Sequence, residues 1–170
     1  SWRANCGSVM QEGYLFADTI SANIAITDDM PNMDRVRNAA SISNIGSWVA
    51  TMPLGYNTKI GADGRGLSTG QKQRVLIARA AYKDASYLFL DEATNALDAK
   101  NEKIIMENLR QFFKGKTVVI VAHRLSTVKN ADNIVVLDKG KIVEQGTHHE
   151  LTTLKGKYYE LVKNQLELGN

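Results

Sequence analysis

Tyr87-Leu88-Phe89-Leu90-Asp91-Glu92, a helical stretch from about Asp98 to Phe113, and the β-branched run Val118-Val119-Ile120-Val121 decide the fold of this 170-residue chain. Strand, helix and strand in that order predict parallel strands with right-handed crossovers, buried on both faces. The first run ends in two carboxylates, and the second leads through Ala122 to His123. Ligands of open parallel sheets bind beyond the carboxyl ends of the strands, so these groups are the first candidates for chemistry. Adjacent strand residues point different ways, so the two carboxylates can take different tasks. One can hold magnesium, a hard cation that favours oxygen ligands, and the other can orient and deprotonate a water. His123 can reach a phosphate oxygen, and Gln11, after Val9-Met10, can complete a metal shell or hold a water. Each has a plain structural alternative, a helix cap for the acid pair and a packing role for the others; their convergence on one edge favours a site.

Outward from this centre, Ile134-Val135-Val136-Leu137 reads as a further strand that Asp138-Lys139-Gly140 turns into Lys141-Ile142-Val143-Glu144, a hairpin. Thr147 and Glu150 are spaced as a capping box opening a C-terminal helical segment past Tyr158 and Leu166. Upstream, residues 18–52 read as helical: Asp18 is placed to cap a short helix through Ile24, and Met33, Val36, Ala40 and Trp48 recur at near-helical spacing. Five of the 13 glycines, Gly55, Gly61, Gly64, Gly66 and Gly70, mark a loop before a helix from Gln71 to Lys83 with an apolar stripe of Val75, Ala78 and Tyr82. The expected fold class is α/β, a mostly parallel sheet carrying an α-helical insert.

Composition excludes several other classes. With 44% hydrophobic and 23% charged residues the chain is globular, and 21 Lys+Arg against 18 Asp+Glu leave a net +3. That is too little charge to make nucleic acid or an anionic membrane the default partner. No apolar run approaches the ~18 residues that span a bilayer. The single Cys6 rules out an internal disulfide and a cysteine-rich zinc site, and reads as a small buried hydrophobe. The adjacent His148 and His149 read as exposed rather than as metal ligands.

A second constellation, Leu67-Ser68-Thr69-Gly70-Gln71, closes the glycine-rich loop and opens a helix. A helix start offers unpaired N–H groups and the positive end of the dipole; Ser68 adds a hydroxyl and Gly70 permits close approach, which suits a phosphate. The following Lys72, Arg74 and Arg79 are expected on a solvated face.

These residues carry a resemblance. Leu67 to Arg74 resembles the signature motif of ATP-binding cassette (ABC) ATPases, Tyr87 to Glu92 their Walker B strand, Asn95-Ala96-Leu97-Asp98 the D-loop, Val121-Ala122-His123-Arg124 the switch-histidine motif, and Val9-Met10-Gln11 the Q-loop. Thr58-Lys59-Ile60-Gly61 and Gly140 to Leu151 resemble segments of exporters of peptides, lipids or drugs. The resemblance runs through nearly the whole chain. It implies a P-loop NTPase-like sheet with a signature subdomain at 12–84, an α/β core at 1–11 and 85–146, and C-terminal helices at 147–170. It implies ATP and Mg2+ as ligands, Asp91 and Gln11 at the metal, Glu92 as general base, and His123 on the γ-phosphate. Ser68, Thr69, Gly70 and Gln71 would meet the ATP of a second, head-to-tail nucleotide-binding domain, with Asp98 communicating across that interface. Coupling helices of a membrane domain would rest near Tyr14 to Ile24, which puts the domain on the cytoplasmic face of the cell membrane. Thr69 stands where the family usually has glycine, and Ala62 where exporters often carry glutamate.

One motif is missing. Phosphoryl transfer in this class uses G-x-x-x-x-G-K-[ST]. Gly115-Lys116-Thr117 has Arg110 where the first glycine belongs, and lies between a helix and a strand, the reverse order. The P-loop and its strand are therefore expected upstream of residue 1, which leaves these residues inactive alone and with unpaired sheet edges. A DNA-repair relative of the same cassette is disfavoured because no long coiled coil interrupts the chain, and a non-catalytic regulator because Glu92 and His123 are retained.

Overall fold

The computed structural model describes residues 2–122 and 124–168, in two compact units that divide between Val121 and Ala122.

In the first unit, β1 (Cys6–Val9) leads into a long helical insert. Its elements are α1 (Ile20–Ile24), α2 (Met33–Ile42), α3 (Gly46–Val49) and α4 (Thr69–Lys83), with single 3-10 turns at Gly55–Asn57 and Ala62–Gly64. The chain then returns through β2 (Tyr87–Asp91), α5 (Ala99–Phe112) and β3 (Thr117–Val121). The three strands are parallel in the order β1-β2-β3, with Val9 opposite Leu90 and Asp91 opposite Val121.

One core joins the insert to the sheet: Leu15, Ile20, Ile24, Val36, Ile45, Val75 and Ile77 pack in the same cluster as Val9, Leu90 and Ile105. The stripe expected on α4 is buried at Val75, Ala78 and Tyr82. The short helix α1 is capped by Thr19, not by Asp18. Thr19 is extended at φ −67° and ψ 160°, and its hydroxyl accepts the Ala22 N–H at 3.1 Å, while Asp18 accepts the Thr19 N–H at 2.6 Å. Trp48 belongs to α3 rather than to a continuous helix, because the chain leaves α2 through Asn44 at φ +52°.

The sheet departs from expectation on one face. Leu88 and Leu90 are buried, but Tyr87, Phe89, Val119 and Val121 are 38%, 36%, 47% and 54% exposed. Trp2 reaches part of that face, its ring 6.1 Å from Tyr87 and 6.4 Å from Phe89. The strand composition is that of a sheet covered on both sides, and within this unit one face is covered by the insert and the other only in part, by Trp2. Among the described residues β3 pairs only with β2. Gly115-Lys116-Thr117 behaves as a helix end and strand start: Gly115 has φ +75°, and Lys116 pairs with Asp84 at 2.8 Å and lies over the Phe112 ring. Cys6 is half-buried, its thiol donating to the Trp2 carbonyl.

In the second unit, α6 (Leu125–Val128) precedes an antiparallel hairpin of β4 (Ile134–Asp138) and β5 (Lys141–Gly146). Lys139 and Gly140 both take positive φ, the geometry of a tight two-residue hairpin turn. Helices α7 (His148–Leu154) and α8 (Lys157–Leu168) follow, and Ile134, Val136, Leu151, Tyr158 and Val162 form a small core. The Thr147–Glu150 capping box is present. His148 is half-buried, with Nδ1 2.8 Å from the Tyr158 hydroxyl, while His149 is exposed. No helix among the described residues is long and apolar enough to cross a membrane.

Candidate functional site

The parallel register brings the expected acids and amide to one edge. Gln11 follows β1 by two residues and is exposed; Asp91 closes β2 and is half-buried; Glu92 starts the next turn. Glu92 is fixed from three sides. Its N–H donates to the Val121 carbonyl at 2.9 Å, its carbonyl accepts the Asn95 N–H at 3.1 Å, and its carboxylate accepts from the Asn95 side-chain amide. Glu92 also has φ +47°, a conformation that costs an L-residue on the order of 1–3 kcal/mol and clusters at functional sites. His123, two residues beyond β3, lies outside the described residues.

The second constellation starts α4. Ser68 is its N-cap: its hydroxyl accepts the Gln71 N–H at 3.2 Å, and the Gln71 side chain returns to accept the Ser68 N–H at 2.9 Å. The Gln71 side chain is thereby engaged in the cap, which leaves the Thr69 and Gly70 N–H groups as the donors at this helix start without a partner among the described residues. Gly70 is needed for contact: a Cβ there would stand 3.2 Å from the Ala96 carbonyl oxygen. The helix start thus rests on the loop running from Glu92 to Asp98, and the two constellations share one wall.

Asp98 is exposed and caps α5, accepting the Asn101 N–H at 3.0 Å and the Asn101 side-chain amide at 2.6 Å. Those Asn101 bonds hold its carboxyl below the usual carboxylate range. Asn101 in turn accepts from Asn44, 2.9 Å away, and the Asn44 carbonyl accepts from Arg74. A polar chain therefore links the α5 cap to α4. Burial lowers the Arg74 pKa, which the Asp98 charge partly opposes.

Lys72, Arg74 and Arg79 of α4, expected on a solvated face, are half-buried. Lys72 pairs with Asp63 at 2.6 Å, Arg74 reaches Asn44, and Arg79 is shared among carbonyls of the insert. Each finds a partner outside α4, 9 to 65 positions away, which spacing along one helix does not signal.

The donors fit a magnesium ion in part. Gln11 and Asp91 offer an amide and a carboxylate oxygen at one edge, and no cluster of three or more His, Cys, Asp or Glu able to hold a metal occurs among the described residues. Magnesium commonly binds through one or two protein oxygens, with waters and substrate phosphates completing its octahedron.

Known proteins similar to this chain are all of one family. The family profile described as ABC transporter matches residues 1–95. The chain is 46% identical over 167 residues to the leukotoxin translocation ATP-binding protein LktB of Mannheimia haemolytica, matching 98% of this chain and 23% of that protein. It is 45% identical over 163 residues to ABC transporter B family member 3 of Dictyostelium discoideum, matching 96% of this chain and 11% of that protein. A solved bacterial Atm1-family ABC exporter with ATP bound superimposes with a TM-score of 0.92 at 41% identity, covering 96% of this chain and 29% of that one. The chain thus spans less than a third of each relative.

Proposed function

This chain belongs to the ABC transporter family, and from that premise we propose that residues 1–170 are part of the ATP-binding and ATP-hydrolysing domain of an exporter moving a peptide, lipid or drug. The observation that carries the reading is the arrival of Gln11, Asp91 and Glu92 at one end of a parallel sheet whose following loop supports the Ser68 helix start. Glu92, strained and held by Asn95, is the general base that takes a proton from the attacking water. Asp91 and Gln11 hold Mg2+, which when bound supplies positive charge to the phosphate oxygens. His123 contacts the γ-phosphate.

Ser68 and the Thr69 and Gly70 N–H groups face the ATP of a second nucleotide-binding domain packed head-to-tail, with Gln71 acting through the Ser68 cap and Asp98 at the interface. The membrane domain docks near Tyr14 to Ile24, where Tyr14 and Phe16 are each 50% exposed, and the domain works on the cytoplasmic face of the membrane. We assign a signature subdomain to 12–84, core to 1–11 and 85–146, and C-terminal helices to 147–170.

The phosphate-cradling loop is not among these residues, so residues 1–170 alone neither bind ATP tightly nor turn it over. The exposed sheet face fits an apolar cover supplied from elsewhere in the protein. The test is magnesium-dependent ATP turnover by the full-length transporter. Loss of about 10²–10⁴-fold on Glu92→Gln with ATP binding retained supports the reading, and unchanged turnover refutes it.

A further inference from the structure

Arg79 stands in the middle of a knot that has no part in the chemistry above. Its guanidinium donates from Nε to the Asn23 carbonyl at 2.8 Å, from Nη1 to the Tyr14 carbonyl at 2.9 Å, and from Nη2 to Asn23 Oδ1 at 3.2 Å. Asn23, 1% exposed, passes the connection on: Oδ1 accepts the Phe16 N–H at 2.8 Å, and Nδ2 donates to the Phe16 and Thr19 carbonyls at 3.0 Å. One side chain of α4 therefore fixes the backbone of the segment from Tyr14 to Asn23, which begins three residues after Gln11. Burial lowers the Arg79 pKa. The planar fork matches its three oxygens in a way a lysine ammonium cannot.

A second attachment lies one helical stretch earlier. Lys72 pairs with Asp63, whose N–H donates to the Leu15 carbonyl at 2.8 Å. The segment is thus held to α4 at two levels, and α4 is an unbroken helix from Thr69 to Lys83. About 16 Å of that helix separates Arg79 from the Ser68 cap. A packed helix held at two points moves as one piece rather than bending, so a displacement of Tyr14 to Asn23 is delivered to Ser68 and Gly70.

We propose that Arg79 is the positioning residue that makes the segment from Tyr14 to Asn23, exposed at Tyr14 and Phe16, and the phosphate-facing start of α4 a single moving part, so that substrate engagement at the membrane domain sets the rate of ATP turnover. The inference rests on the function proposed above, because it needs a membrane domain on that segment and a phosphate at that helix start. Arg35 supplies the control. It donates to the Tyr82 carbonyl at the far end of α4 at 2.6 Å and stacks on the Tyr82 ring, but ties α4 to α2 rather than to Tyr14.

The experiment uses the full-length transporter in proteoliposomes and measures ATP turnover with and without transported substrate for wild type, Arg79→Gln, Arg79→Lys and Arg35→Gln, with Glu92→Gln alongside as the reference for turnover that depends on the proposed base. Coupling between sites of this kind is worth roughly 5–150-fold, so Arg79→Gln is expected to lower substrate-stimulated turnover about tenfold. Basal turnover and KM for ATP should change less than about twofold, with partial recovery in Arg79→Lys and stimulation retained in Arg35→Gln. Equal loss of basal and stimulated rates in both arginine variants, or full stimulation in Arg79→Gln, overturns the inference. If Arg79→Gln fails to fold, Asn23→Ala reads the same knot from its other side by the same ratio, and unchanged stimulation there overturns it as well. Wild type without Glu92-dependent turnover instead refutes the functional reading itself.

Discussion

The Glu92 N–H donates to the Val121 carbonyl at 2.9 Å, so the residue after β2 is fastened to the end of β3 while its side chain is turned toward Asn95. The carboxylate is aimed by a neighbour three positions on, within one turn. Removing that neighbour leaves the base in place but unaimed. Misplacement of a reacting group by about 1 Å costs up to 10²-fold, so Asn95→Ala in the full-length protein is expected to lower kcat about 10–100-fold with KM for ATP little changed. Steady-state kinetics check this, and a change confined to KM contradicts it.

Gly70 is chosen by contact, not by backbone freedom. In an open helix position Gly→Ala gains about 1 kcal/mol. Here the new methyl would meet the Ala96 carbonyl oxygen at 3.2 Å. Gly70→Ala is expected to forfeit that gain and to lower turnover, and Gly70→Val to do more of both. Thermal unfolding alongside ATPase assays checks this, and a Gly70→Ala protein that is stabler and fully active contradicts it.

The α4 cap separates two neighbouring residues. Ser68→Ala removes the acceptor for the Gln71 N–H and is expected to cost about 1 kcal/mol at the helix start. Gln71→Ala keeps that bond and frees only the exposed Ser68 N–H, so it costs less. Amide exchange in the first turn of α4 ranks the two, and the reverse order argues against the capping geometry.

Acid should weaken two other helix starts. Asp98 is held below the ordinary carboxylate range by Asn101, and Glu150 by the Thr147 backbone and hydroxyl. A depressed folded value means that the unfolded chain binds the proton more readily. The stabilisation is therefore complete above the ordinary values of about 4 and is lost as pH falls through the lower folded ones. Amide protection in the first turn of α5 should exceed that of Asp98→Ala at neutral pH, and the difference should shrink below about pH 4. A difference that grows on acidification contradicts the assignment.

What could be read from the sequence was local. The apolar run from Tyr87 to Leu90, the β-branched run from Val118 to Val121, the stripe Val75, Ala78 and Tyr82, and the Thr147–Glu150 box each declare their element within a few residues, and all four are present. Asp18 misled because two adjacent residues, Asp18 and Thr19, can both cap, and backbone geometry decides between them. The Arg79, Arg74 and Lys72 contacts could not be read, since their partners Tyr14, Asn44 and Asp63 lie 65, 30 and 9 positions away. The Glu92–Asn95 contact carried a legible signal in its spacing, but only the turn at Glu92 makes it a bond.

The most direct measurement uses full-length transporter pairs purified through two different tags, one on each copy. Glu92→Gln and Ser68→Arg are placed either on the same copy opposite wild type, or on opposite copies. If Glu92 of one copy and Ser68 of the other share a pocket, the opposite-copy pair keeps one unaltered pocket and retains turnover, while the same-copy pair has none. Equal turnover in the two arrangements, or more in the same-copy pair, contradicts the account.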